Sequence, residues 1–74
     1  MMTFDAAFSL VREEIERARS MHPGFPSAHH GYAVIREELD ELWDEVKADR
    51  LLAAQKEAVQ VAATAIRFMT ELKG

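Results

Sequence analysis

The chain has no cysteine, only three glycines and two prolines, and no excess of basic residues over its 74 positions. Without cysteine, neither a disulfide framework nor a thiolate zinc site can stabilise it. A domain this short keeps much of its surface wet, so we expect oligomerisation, with bound metal as a lesser aid, to supplement a marginal core. Because 49% of the residues are apolar, the sequence predicts one folded domain rather than a disordered chain.

The charge distribution argues against nucleic-acid and membrane partners. The net charge is -4, and the lysines and arginines are scattered among acids, so no basic patch faces a phosphate backbone. The first residues lack a basic segment followed by an apolar one, and Asp49 and Arg50 interrupt any stretch long enough to span a bilayer. We therefore expect a soluble cytoplasmic protein.

The spacing of apolar residues predicts an all-α fold with three helices, at about residues 3–21, 28–48 and 51–72. In the first helix the apolar positions recur at steps of four and three, and charged residues fill the opposite face. The second helix carries a narrow apolar stripe, widened by Trp43. The phenylalanines and Trp43 are most simply core or interface residues.

N-cap residues and helix-breaking residues predict where the helices begin and end. Thr3 is a suitable N-cap for the first helix, and Ser27 for the second, although Gly31 weakens that start by about 1 kcal/mol and could itself begin the helix. The segment 22–26 holds two prolines and a glycine and predicts a loop. A short turn is expected around 47–50, where neither glycine nor proline stands.

The third helix has two apolar sides when it is projected at about 100° per residue. A polar stripe separates the two sides and consists of Glu57, Gln60, Thr64 and Arg67. A helix that is apolar on two sides must be covered on both, and the chain has only two other helices. The sequence therefore predicts a homodimer or tetramer, with the first helices outside a four-helix core.

Acidic residues form the most informative pattern. Glu38 and Glu41 are three residues apart on the second helix, so their Cβ atoms lie about 5 to 6 Å apart, and Glu45 projects beside Glu38. Glu57 lies on the nearly apolar third helix, where an ionised carboxylate is unfavourable unless it is paired or bound to a metal. Two explanations stay open: a salt bridge from Glu57 to Lys56 or Arg67, and a divalent cation.

A cation would relieve the repulsion of converging carboxylates. At a separation of 4 Å and an effective dielectric near 20, each pair of like charges repels by about 4 kcal/mol. Oxygen ligands suit Mg²⁺ or Mn²⁺, and magnesium is commonly held by a few carboxylates together with substrate phosphates. The implied chemistry is attack of an activated water on a phosphoanhydride.

Other reactive patterns are few. His29 and His30 are adjacent and do not match the i, i+4 spacing of a helical zinc pair. His30 projects to the side of Glu37 and Glu41, where it could reach a phosphate or a base, or it could be a surface residue. No glycine-rich phosphate loop and no nucleophile motif occurs, so the sequence offers no candidate for covalent catalysis.

The acids resemble a family motif, Glu-Glu-x-x-Glu on one helix followed by Glu-x-x-Asp on the next. Glu37-Glu38-Leu39-Asp40-Glu41 fits its first half, and Glu57-Ala58-Val59-Gln60 fits the second half in part. Over about residues 28–72 the chain thus resembles the MazG-like all-α nucleoside triphosphate pyrophosphohydrolases. It departs from them at Gln60, which stands where the family has aspartate and brings an oxygen ligand without charge.

The resemblance implies a helical bundle of two or more subunits that hydrolyses a (deoxy)nucleoside triphosphate to monophosphate and pyrophosphate. It makes Glu38, Glu41 and Glu57 the catalytic metal ligands, with Gln60 as a further ligand at the edge. His30, Glu45 and Lys56 are candidate substrate contacts. The alternative is a non-catalytic homo-oligomeric interaction module that keeps the fold without activity, because Gln60 replaces the acid.

Overall fold

Three α-helices form the protein in a computed structural model that describes residues 2–73: α1 (Phe4–Met21), α2 (Ala28–Lys47) and α3 (Leu51–Glu71). The all-α class is confirmed, since the described residues hold no strand and only one isolated β-bridge. Each helix is one residue shorter than the sequence predicted. Within residues 2–73, no helix is both long and apolar enough to cross a membrane.

Side-chain caps fix the starts of α1 and α2. The Thr3 hydroxyl accepts the Ala6 amide at 3.1 Å, and the Ser27 hydroxyl accepts the His30 amide at the same distance. Each cap satisfies one of the amides that the first helical turn leaves unpaired. Helix α2 therefore begins directly after Ser27 and not at Gly31.

The turn between α2 and α3 forms without glycine because an aspartate takes the left-handed conformation. Asp49 has φ 58°, a region that aspartate visits more readily than most residues. The Asp49 amide donates to the Val46 carbonyl at 3.1 Å, and the Arg50 amide donates to the Glu45 carbonyl at 3.0 Å. These bonds close the turn and start α3 at Leu51.

Helix α3 lies between the other two helices. It packs against both α1 and α2, whereas α1 and α2 do not pack against each other in the described part of the chain. Contacts of Gly31 with Phe68 and of Glu41 with Glu57 show that α2 runs antiparallel to α3. Helices α1 and α2 of the same chain thus cover part of α3, while Leu51, Leu52 and Met69 of α3 stay exposed.

The loop 22–26 is fastened to the end of α3. The buried Arg67 guanidinium donates to the carbonyl oxygens of His22 at 3.1 Å and Pro23 at 3.3 Å, and it also binds the Glu71 carboxylate. The Phe25 amide donates to the Glu71 carbonyl at 3.1 Å. Gly24 approaches that carbonyl so closely that a Cβ there would overlap with it. The loop thus holds Phe25, which is 6% exposed, against α3.

The core of the single chain is very small. Among the described residues, only Phe25, Ala54 and Ala63 are buried apolar residues. Many large apolar side chains are exposed instead, and they include Phe4, Phe8, Tyr32, Leu39, Trp43, Val46, Leu51, Leu52 and Met69. The apolar surface of the chain is far from fully covered.

Replacing Gly31 by alanine should destabilise the protein. A Cβ at this position would lie 2.6 Å from the Phe68 ring, which would have to move within the α2–α3 contact. We expect a loss of about 1 to 2 kcal/mol in denaturant unfolding, although alanine is the better helix former. The matched control adds Gly31→Ala to a Phe68→Leu variant. There the free energy of unfolding should fall by less than it does when Gly31→Ala is made in the unmodified protein. An increase in stability on Gly31→Ala would contradict this close approach.

Candidate metal centre

Three glutamates from two helices meet at one point, and we call Glu38, Glu41 and Glu57 the acid cluster. One carboxylate oxygen from each lies within 4.8 Å of those of the other two. The i, i+3 spacing places two of them on one face of α2, and the antiparallel packing of α3 brings the third opposite. The three carboxylates therefore lie close together, as the sequence predicted. Glu37, Asp40 and Asp44 point to solvent, as their projection predicts.

The acid cluster lacks a basic partner. Within residues 2–73, no lysine, arginine or histidine forms an ion pair with any of its members. The salt bridge considered for Glu57 is absent, because Arg67 binds Glu71 at 2.9 Å and Lys56 lies elsewhere. One oxygen of Glu38 and one of Glu57 are buried without a hydrogen-bond partner. A buried polar atom of this kind is unfavourable until something binds it.

Burial and like charges raise the pKa values of two cluster members. Desolvation raises the pKa of Glu38 to about 7, and the nearby carboxylates of Glu41 and Glu57 add to the shift. The pKa of Glu57 is also raised, by desolvation first and then by Glu41. The ionised forms of these two carboxyls are therefore unfavourable in the folded protein, and a bound divalent cation would stabilise them instead.

The donor set fits a hard divalent cation. Three carboxylates offer only oxygen, which Mg²⁺ and Mn²⁺ prefer over nitrogen or sulfur ligands. The two unpaired oxygens of Glu38 and Glu57 are free to coordinate. The residues present are thus sufficient to hold one ion and leave its other positions to water or substrate.

Gln60 lies one turn after Glu57 and faces α1. It lines the cavity that Glu38 also lines, and it lies close enough to Glu14 of α1 to lower the pKa of that carboxyl by hydrogen bonding. Arg17 lowers the same pKa more strongly, and its Nε donates to Glu14 at 2.9 Å. Gln60 therefore lies near Glu14 of α1, on the wall of a cavity that Glu38 also lines.

A cavity of about 540 Å³ opens beside Glu38, and we call it the central cavity. It lies between α1, α2, α3 and the loop 22–26, and its basic and aromatic wall consists of Arg17, His22, Phe25, His30 and Arg67. Its volume is that of a typical small-molecule site. Because acidic Glu38 and several basic side chains line the same cavity, it could receive a ligand that carries both a bound cation and negative charge.

The candidate substrate contacts take different positions. His30 lines the central cavity, with its ring centroid 6.3 Å from that of Phe25. Glu45 lies beside the acid cluster and raises the pKa of Glu57, but its own carboxylate is bound by Arg50 at 2.8 Å. Lys56 lines a second opening of about 590 Å³ between α1 and α3, which we call the side groove.

Sequence reasoning missed three residues of the site. Glu14, Arg17 and Phe25 all line the central cavity, yet they lie outside the segment that carries the acid motif. A weak signal existed for Glu14, which is three residues before Arg17 and could be expected to pair with it. No pattern in the sequence indicates that α1 closes the cavity.

Comparison with known proteins identifies no relative: no family model, no curated protein and no solved structure matches this chain.

Stability should fall as pH rises through the range in which Glu38 titrates. Its pKa is about 7 in the folded protein against 4.5 ordinarily, so the folded state binds more protons between these values. Without metal, we expect a lower melting temperature at pH 8 than at pH 5, by about 4 to 8 °C for each kcal/mol lost.

Two variants test the origin of that pH dependence. Glu38→Gln should reduce the fall in melting temperature between pH 5 and pH 8, because one of the two carboxyls whose pKa is raised is gone while Glu57 remains. Asp40→Asn removes an exposed carboxyl on the same helix and should keep the slope. An unchanged slope in Glu38→Gln would show that Glu38 does not carry the effect.

Proposed function

We propose that this chain is a MazG-like nucleotide pyrophosphohydrolase that hydrolyses a (deoxy)nucleoside triphosphate to monophosphate and pyrophosphate with Mg²⁺ or Mn²⁺. The observation that carries the proposal is the acid cluster, with its two buried, unpaired oxygens and no basic partner among residues 2–73. Glu38, Glu41 and Glu57 hold the cation, and Gln60 lies at the edge of the site.

The central cavity supports a phosphorylated substrate. Glu38 lines this cavity together with His30 and with Arg17 and Arg67, whose guanidinium groups also pair with Glu14 and Glu71. Arginine side chains neutralise and orient phosphate oxygens. A bound cation supplies Lewis-acid polarisation and an activated water.

A homo-oligomer accounts for the exposed apolar side chains of α2 and α3. Projected at about 100° per residue, four of α2 and four of α3 each form one stripe, and the antiparallel packing turns both stripes to the side away from α1. We call this surface the outer face, and it consists of Tyr32, Leu39, Trp43, Val46, Leu51, Ala58, Ala65 and Met69, all exposed. A second copy on this face completes a four-helix core.

The second candidate is a non-catalytic interaction module, which the large outer face and the uncharged Gln60 favour. In it the acids would stabilise a homo-oligomer and no nucleotide would be hydrolysed. The two functions differ in what the acid cluster binds: the enzyme requires a cation there, whereas the module requires none.

Glu41→Gln separates the two candidates. Removing one of the three charges should abolish Mn²⁺ binding in calorimetry and pyrophosphate release from a panel of nucleoside triphosphates, with little loss of fold because Glu41 is exposed. Asp44→Asn, an equal charge change at an exposed site on the same helix, should leave both intact. Absence of both metal binding and pyrophosphate release in the unmodified protein would refute the enzyme.

Trp43→Glu tests the outer face. Trp43 is 57% exposed in the single chain and would be buried against a second copy, where an unpaired charge is strongly unfavourable. We expect light scattering to show a dimer or tetramer for the unmodified protein and a monomer or unfolded chain for Trp43→Glu. Phe8→Glu, an equal change on α1, should keep the oligomer. A monomeric unmodified protein at high micromolar concentration would contradict the four-helix core.

A further inference from the structure

Arg67 is a buried arginine with one side-chain nitrogen that stays unpaired in the described part of the chain. Its side chain is only 7% exposed. Nε and Nη2 donate to the Glu71 carboxylate, and Nη2 also donates to the carbonyl oxygens of His22 and Pro23. Nη1 donates no hydrogen bond among residues 2–73, and it is not one of the fully buried atoms that lack a partner. Nη1 therefore keeps accessible surface, and the opening that Arg67 lines is the central cavity.

The other contacts of Arg67 fix the orientation of its guanidinium group. Glu71 and the two loop carbonyls hold one edge of the group, and the Phe25 ring lies 5.5 Å from its central carbon. A guanidinium that is held in this way loses little further freedom when it binds a ligand. Nη1 is thus a preorganised hydrogen-bond donor in the central cavity.

The surrounding charges indicate which acceptor suits Nη1. Glu71 balances the charge of Arg67 at 2.9 Å. Arg19 also approaches Glu71, but at 3.6 Å and with a side chain that is 62% exposed, so solvent screens its charge. A phosphate binds best to a cation whose charge is not already balanced, whereas a neutral carbonyl oxygen needs only the N–H donor. Nη1 is therefore better suited to a carbonyl oxygen.

Arg67 lies far from the acid cluster along α3. The rise of the helix from Glu57 to Arg67 is about 15 Å at 1.5 Å per residue. The bonds to Glu71 hold the guanidinium toward the end of α3 that lies away from Glu57. A triphosphate alone is shorter than this separation, but an extended nucleoside triphosphate can span it. A nucleotide whose phosphates bind a cation at the acid cluster would therefore bring its base to Arg67.

We infer that Arg67 is a specificity-determining residue whose Nη1 donates a hydrogen bond to an exocyclic keto oxygen of the nucleotide base. The inference rests on the proposed function. A keto oxygen accepts this bond, whereas the exocyclic amino group of adenine or cytosine is itself a donor and would meet Nη1 without a proton acceptor. The site therefore selects keto bases over amino bases, and Arg17 is left as the cavity arginine for phosphate oxygens.

Two pairs of nucleoside triphosphates that differ in this exocyclic group test the inference. Inosine triphosphate has a keto oxygen where adenosine triphosphate has an amino group, and uridine and cytidine triphosphates differ in the same way. With Mg²⁺ and the full chain, kcat/KM for pyrophosphate release should be about 10-fold or more higher for the keto member of each pair, because a buried donor left unpaired is unfavourable.

The same measurement separates the two proposals. Equal kcat/KM values within both pairs, or higher values for the amino members, would refute the role of Arg67 and leave the proposed function standing. No pyrophosphate release from any of the four nucleotides would instead refute the proposed function.

Arg67→Lys shows whether Arg67 carries the preference. A lysine keeps the charge but not Nη1, so the kcat/KM values of the keto and amino members should approach each other. A merely structural role would lower both members equally and keep their ratio, and that result would overturn the inference. The matched control is Arg19→Gln, which removes the exposed arginine that also pairs with Glu71 and should keep the ratio.

His30→Ala provides a second variant if Arg67→Lys does not fold. His30 is exposed and lines the same cavity, so it is a competing donor to the base. We expect the preference for keto bases to persist in His30→Ala. Loss of the preference in this variant would assign the base contact to His30 and contradict the inference.

Discussion

The meeting of three carboxylates without a basic neighbour is the interaction on which the account depends. At the separations found here, each pair of charges in the acid cluster repels by about 4 kcal/mol at an effective dielectric near 20. A domain of this kind is stable by only about 5 to 15 kcal/mol in total. Protonation of Glu38, whose pKa is about 7, relieves part of this repulsion, and a bound cation would relieve it more fully.

Beyond the acid cluster, polar side chains line the central cavity, whereas many large apolar side chains lie at the surface of the chain. Helix α3 turns its polar stripe toward the central cavity, where Thr64 and Arg67 are buried, and Ala58, Ala65 and Met69 toward the outer face. Such a distribution is unusual for a monomer, since large exposed apolar patches mark interfaces. It is the distribution expected of a subunit whose core is completed by another subunit while its cavity holds a charged ligand.

Local patterns in the sequence were sufficient for the helices and for the pairing of Glu38 with Glu41, whereas Glu57 was predicted from its place on a nearly apolar helix and from the motif. The Thr3 and Ser27 caps and the i, i+3 pair of Glu38 and Glu41 depend on residues close in the chain, and the structure confirms them. The turn at Asp49 was expected at the right place, although its left-handed backbone has no marker as strong as glycine.

Contacts between distant residues could not be predicted in the same way. Arg67 was expected to lie in the polar stripe near Glu57, but it binds Glu71 and two carbonyls of the loop 22–26, 44 and 45 residues away. Glu14 lies near Gln60 because α1 packs against α3 with a particular rotation about its own axis. The spacing of apolar residues does not determine that rotation.

An anomalous diffraction map of crystals soaked in Mn²⁺ tests the central claim most directly. We expect one peak between α2 and α3, within coordination distance of oxygens of Glu38, Glu41 and Glu57. A map without a peak there, with these side chains turned to bulk water or paired with lysine or arginine from another subunit, would contradict it.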